Sequence, residues 1–409
     1  MAITTTSDTG ASGATIGDQP RLTDDALDRL REQTDPPADN AVGAYFWRLD
    51  QTEPTDLFAS LARHTHLPPD AQDPAVRAFL QQAATVPAWV DVDRVCRGQA
   101  FFNELATHHL SAAYLASLPS SYASAKAVQV LGLTARLRTD TERRINETVQ
   151  FLMDVSGPGA LEPDGVGAQR ILHVRLMHAA VRWLIGNDPA ITHVTDVAPP
   201  FDPPPSPQDE PLWSASWGRP ANQEDLVGTF LAFTTVVYDT FDRTGVDYRD
   251  DQVADHLHMW RLIAHWLGID PAIVPLDRAS ASRLQRDIGA RQHAPSAAGM
   301  AMTQALLDQF VARLPRTVAA KVPTAMRRIN GDVVCDMIGV PSANWTRLLL
   351  GPMSELTRVL TFGRRHDAGM RRLSARAGRS MVNALTEAPR DGDRPSFEIP
   401  THLAKQLRR

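Results

Sequence analysis

Apolar residues recur at helical spacing along almost the whole chain, and no run of alternating β-branched and aromatic residues demands a strand. That periodicity predicts an all-α protein. Helical stretches are expected at 91–118, 139–156, 167–186, 223–245, 249–269 and 299–314, with Thr23 as the N-cap of an earlier one. No repeat of fixed period appears. Gly157-Pro158-Gly159, with Pro163 and Gly165, joins two long helices by a short loop, so those helices should be neighbours. The Pro-rich stretch 198–211 reads as an extended excursion from one large helical domain spanning 21–409. Residues 1–20, rich in Ser, Thr, Gly and Ala, read as a disordered lead.

Charge and cysteine content narrow the function classes. The 42 basic and 47 acidic residues give a formal charge of −5, so no attraction to nucleic acid or anionic lipid is expected. Two cysteines, Cys96 and Cys335, are too few for a zinc knuckle, an iron–sulfur cluster or a c-type haem attachment. The longest apolar charge-free run, 226–238, falls short of the ~20 residues of a membrane span. The amino terminus has no basic n-region or apolar core, which leads us to expect a cytoplasmic chain. No P-loop, GxGxxG or GxSxG motif is present.

The most informative segment is 171–185, apolar nearly all round. At roughly 100° per residue, Arg175, His178 and Arg182 fall within about 60° of one another. Three cationic or polar groups on a buried helix need anionic company, because unpaired buried charge costs several kcal/mol. Two arrangements satisfy that need. In one, His178 ligates the iron of a b-type haem, the arginines meet its propionates, and Ala179 and Ala180 let a flat ring approach. In the other, the arginines pair with Asp or Glu from other helices and His178 is a core residue.

The preceding helix carries Arg143, Arg144, Glu147 and Thr148. Arg144 and Thr148 share a face at i, i+4 and could position dioxygen or a substrate. Glu147 could serve as a general base if burial raised its pKa, or it could form a surface ion pair with an arginine. His256, His258 and His265 lack zinc spacing, and neighbouring Trp260 and Trp266 suggest packing. The arginine-rich stretch 358–379 lacks interleaved aromatics and reads as a solvated or acid-paired face.

RLMHAAVR at 175–182, preceded by RRINET at 143–148, resembles the pattern of the latex clearing proteins, the haem-dependent rubber oxygenases. Their wider group includes the fungal oxygenase of mycophenolic acid biosynthesis. PAWVDVDRVCRGQAFF (87–102), RPANQEDLVGTFLAF (219–233) and HMWRLIAHWLGID (258–270) extend the resemblance over about residues 40–390. It implies a globin-like helical core holding one non-covalent haem b. His178 would be the proximal ligand to iron, Arg175 and Arg182 its flanking arginines, and Arg144 and Thr148 the distal pair. It also implies oxidative cleavage of carbon–carbon double bonds by dioxygen, in poly(cis-1,4-isoprene) or a smaller isoprenoid.

Glu147 stands where the rubber oxygenases carry a lysine, and 121–130 offers no counterpart to their separate distal glutamate. Glu147 is therefore the candidate base. A haem-binding protein without oxygenase activity and a helical interaction scaffold without haem are the alternatives.

Overall fold

The computed structural model describes residues 19, 21–49, 74–136, 141–187, 213–314 and 316–342. The Pro-rich stretch 198–211, nearly all of the amino-terminal lead and the arginine-rich stretch 358–379 lie outside the described residues. The order is α1 (Asp24–Glu32), α2 (Pro36–Leu49), α3 (Pro74–Ala83), α4 (Val92–Glu104), α5 (Ala106–Ala112), a π-helical turn (Ala113–Ser117), α6 (Leu118–Ala123), α7 (Ala127–Arg136), α8 (Thr141–Ser156) and α9 (Val166–Asn187). After a short 3₁₀ turn follow α10 (Gln223–Phe233), α11 (Thr235–Thr244), α12 (Asp250–Trp266), α13 (Arg278–Gln292), α14 (Ala297–Arg313), α15 (Arg316–Ala319), α16 (Val322–Asn330) and α17 (Asp332–Met337). The fold is all-helical, as the periodicity required.

Local chemistry accounts for several boundaries. Thr23 Oγ1 accepts from the Ala26 N–H and opens α1. Asp277 and Ser280 form a reciprocal capping box at the start of α13. Gly245, left-handed at φ 70°, closes α11.

Two stretches that read as single helices are broken. The 91–118 stretch turns at Leu105 and then passes through the π turn, and 223–245 breaks at Thr234. The two irregularities meet: Ser117 Oγ donates to the Ala232 carbonyl (2.6 Å), and Thr234 Oγ1 donates to the Phe230 carbonyl (2.8 Å). Carbonyls released from the helical ladder are thus satisfied by hydroxyls.

One continuous apolar core runs from Leu27 on α1 through Phe102, Leu172, Phe230, Trp260 and Leu306 to Met326 on α16. A second cluster joins α2, α3 and α9 through Val42, Phe46, Phe79 and Leu176. Helices α4 and α12 pack closely, and Gly98 is what permits it. A Cβ at Gly98 would lie 2.8 Å from the Asp255 carbonyl oxygen and 2.9 Å from Met259 Cβ. Arg94 (2.8 Å) and Arg97 (2.6 Å) then hold the Asp255 carboxylate across the same contact. Antiparallel α8 and α9 are neighbours, as the short loop implied, and Gly165 and Gly167 let the turn close on the Ala160 carbonyl.

Cys96 is exposed, Cys335 is buried, and both are free thiols. Among the described residues no helix is long and apolar enough to cross a membrane.

Candidate active site

Helix α9 divides its surface between two jobs. Arg170, His173, Val174, Met177, His178 and Val181, spaced i, i+3, i+4, i+7, i+8 and i+11, border a cavity of about 300 Å³. Arg175, Ala179 and Arg182 form the other stripe, which packs toward α2. The cavity's remaining walls are mostly apolar. Phe151 comes from α8, Val130 and Leu131 from α7, Phe230 and Phe233 from α10, Trp260 from α12 and Ile288 from α13.

His178 sits at the edge between the two stripes. It is only partly buried and borders the cavity, with Nδ1 as its buried nitrogen. Five positions earlier, His173 borders the same cavity and is almost fully buried; sequence reasoning passed over it, although the 3.6-residue stripe starting at Arg170 contains it. Burial, with the Arg170 charge adding to it, pushes His173 down to about 4, so it is neutral at pH 7. Arg170 itself is bound by Asp154 (3.1 Å), and the Gln150 amide donates to the other Asp154 oxygen (2.6 Å).

The two flanking arginines are placed away from the cavity. The Arg175 guanidinium grips Asp35 with two hydrogen bonds, 2.6 and 2.8 Å, in a buried bidentate pair. Gly268 makes room, since a Cβ there would lie 2.4 Å from an Asp35 oxygen. Arg182 pairs with Asp39 at 2.7 Å and donates to the Ala221 carbonyl at 3.0 Å. Ala221 is held at a positive φ of 46°, unusual for a residue with a side chain, and borders the cavity. For both arginines the geometry is therefore pairing with carboxylates, Asp35 just before α2 and Asp39 in its first turn, which is the second of the two arrangements the spacing allowed. Ala179 and Ala180 also face elsewhere than expected. Both pack in the α2–α3 cluster instead of flanking an open slot, because that stripe of α9 is covered by Ala38, Val42 and Phe79.

On α8, Glu147, Thr148, Gln150, Phe151 and Asp154 border the cavity, so Glu147 and Thr148 reach the space that His178 reaches. Glu147 is buried. The side chains of Arg143 and Arg144 lie outside the described residues. Glu224, Asp225, Gln292 and His293 also border the cavity. Glu224 is fully buried and bound by Arg31 (3.0 Å), Gln292 (2.9 Å) and Arg291 (3.3 Å), which makes it a structural anion.

The histidines of α12 are engaged in packing. His258 Nε2 accepts from the Asp91 N–H (3.0 Å), and His256 lies between Tyr238 and Trp260. Among the described residues no three His, Cys, Asp or Glu side chains are grouped to hold a metal ion. Chemically, the site offers a mostly apolar cavity bordered by the imidazoles of His173, His178 and His293, the buried Glu147 carboxylate and the Thr148 hydroxyl.

The family model described as "ER-bound oxygenase mpaB/B'/Rubber oxygenase, catalytic domain" matches residues 105–362, more than half of the chain and inclusive of α8, α9 and α12. A rubber oxygenase of Streptomyces sp. (strain K30) is 26% identical over 324 residues, covering 78% of this chain and 69% of that protein. A solved latex clearing protein in its closed state superposes with a TM-score of 0.69 at 23% identity, over 91% of this chain and 95% of that one, and so shares the fold. The chain with His178 on its cavity wall belongs to the oxygenase family that the rubber oxygenase catalytic domain defines.

Proposed function

We propose that the protein is a haem b-dependent oxygenase that uses dioxygen to cleave carbon–carbon double bonds of an isoprenoid-class hydrocarbon. The observation carrying this reading is that His178, Glu147 and Thr148 border one apolar cavity within the matched family region. The residues fit a porphyrin. Among the described residues no three His, Cys, Asp or Glu side chains are grouped as a bare ion would need, whereas a single imidazole suffices for a metal that arrives with ring nitrogens of its own. Val174, Met177 and Val181 flank His178 with the smooth apolar surface that a macrocycle packs on. Haem, when bound, would supply the dioxygen chemistry, and His178 would hold its iron.

The protein's own residues do the rest. Thr148, with Arg144 from one turn earlier on α8, orients the bound reactants. Glu147 takes an allylic proton from the substrate onto its carboxylate. The aromatic walls (Phe151, Phe230 and Phe233) hold the hydrocarbon and exclude water. Arg175 and Arg182 act by positioning: their aspartate pairs fix the α9 register that aims His178. The small-molecule size of the cavity favours a short isoprenoid over a long polymer.

The test is oxygen uptake by the haem-loaded protein with squalene, smaller terpenes and polyisoprene latex, with carbonyl products trapped and weighed. Uptake with equivalent carbonyl formation is expected for a short substrate. A loaded protein that consumes no oxygen with any of them is a haem binder, and the oxygenase reading fails.

A further inference from the structure

Behind the cavity wall stands a polar cluster that the oxygenase reading leaves unused. Trp260 borders the cavity, and Phe233, another wall residue, stacks on it at 5.9 Å with the rings 12° from parallel. The Trp260 indole N–H donates to His256 Nε2 at 3.3 Å, and His256 Nδ1 lies 2.8 Å from Tyr238 Oη. All three residues are buried, and Phe101 and Phe102 enclose the histidine.

The hydrogen-bond directions are fixed by elimination. An indole nitrogen only donates, so His256 Nε2 is the lone-pair nitrogen. Burial keeps His256 neutral, which leaves its hydrogen on Nδ1, donated to the Tyr238 oxygen. Packing alone does not call for an indole, an imidazole and a phenol bonded in a row, since burying polar groups is costly where apolar ones would fill the space.

We infer that Trp260 is a redox-active residue that drains stray oxidising equivalents from the cavity, with His256 as the acceptor of its proton. In the step, Trp260 loses one electron to a strong one-electron oxidant formed from dioxygen or peroxide in the cavity, and that oxidant is reduced by one electron. The indole proton moves along the existing hydrogen bond to His256 Nε2. A neutral indolyl radical and an imidazolium remain, and the imidazolium Nδ1–H stays bound to Tyr238 Oη. One electron from a soluble thiol or ascorbate-type reductant, with return of the proton, restores the pair. Tyr238 is a positioning residue that fixes the His256 tautomer. It does not carry the oxidation onward, because its oxygen already accepts from His256 and the Arg278 guanidinium lies 5.8 Å from its ring centre.

This inference takes its oxidant from the oxygenase reading, but the residue chemistry can be tested apart from it. In the first arm, haem-loaded protein containing ring-deuterated tryptophan is mixed with hydrogen peroxide, frozen and examined by electron paramagnetic resonance. An organic radical narrowed by the deuterium is expected, and it should be lost in Trp260→Phe. An equal radical in Trp260→Phe, or none in the parent although peroxide changes the haem spectrum, overturns the proposal.

In the second arm, a ruthenium photo-oxidant is tethered to exposed Cys96, on the helix packed against α12, in the haem-free chain. Flash oxidation should yield the neutral indolyl absorption in the parent. The radical-cation absorption should persist in His256→Leu, and both should disappear in Trp260→Phe. His256→Leu giving the same neutral radical as the parent overturns the role of His256. Should haem fail to bind at all, the oxygenase reading falls and this second arm alone decides the Trp260–His256 step.

Discussion

At the scale of single residues, His178 and its flanking arginines share an arc of α9 yet answer to different neighbours. His178 meets the cavity, while Arg175 and Arg182 are held by Asp35 and Asp39. Asp35 is almost completely buried, so Arg175→Met would strand its charge. Removing one member of such a pair costs about 3–5 kcal/mol. Urea unfolding of Arg175→Met should show a loss of that order, and the double variant Asp35→Leu/Arg175→Met should recover most of it.

Glu147 carries a different expectation. As the proton acceptor, Glu147→Gln should lower turnover by about 10²–10⁴-fold while haem content stays at the parental level. Unchanged turnover would remove Glu147 from the chemistry. The grouping of His178 with two arginines was legible in sequence, because 3.6-residue periodicity fixes relative direction on a helix. Which side faces a cavity was not legible, since that is decided by Asp35, 140 residues away along the chain.

At the scale of elements, periodicity located the helices but concealed two interruptions. Leu105 and Thr234 break their helices with no glycine or proline to announce it. Part of what stabilises the break at Thr234 is tertiary, the Ser117 hydroxyl meeting the Ala232 carbonyl of α10. A local pattern cannot contain that information. The same holds for Gly98, whose meaning appears only when α12 lies across it. Gly98→Val should force α4 and α12 apart against backbone that cannot yield. Overpacking of this kind costs about 1–3 kcal/mol, to be read from the shift in the denaturation midpoint. Because α12 carries Trp260 into the cavity wall, the variant should also weaken haem retention. A Gly98→Val protein of unchanged stability would show that this helix contact is not close.

At the scale of the whole molecule, buried imidazoles tie stability to pH. Burial pushes His108 to about 4, His109 to about 3, His173 to about 4 and His258 to about 4, from an ordinary value of 6.5. Below pH 6.5 the unfolded chain binds protons that the folded chain refuses, so stability is full above that pH and declines as pH falls toward 4. Denaturant midpoints measured at pH 7.5 and pH 5 should therefore fall markedly, and a flat profile would contradict the burial of these rings. Family, helical class and the two site helices were legible across the chain, because their motifs are local. The cavity, assembled from α6 to α13, and the tryptophan–histidine–tyrosine cluster required the fold.

The central claim is that the imidazole of His178 holds a haem iron. The most direct measurement is haemin titration of the parent, His178→Ala and His173→Ala proteins, followed by their visible spectra. The parent and His173→Ala should each take up one haem with an intense Soret band, and His178→Ala should lose most of it. A His178→Ala protein that retains full haem, or a parent that takes up none, would contradict the account.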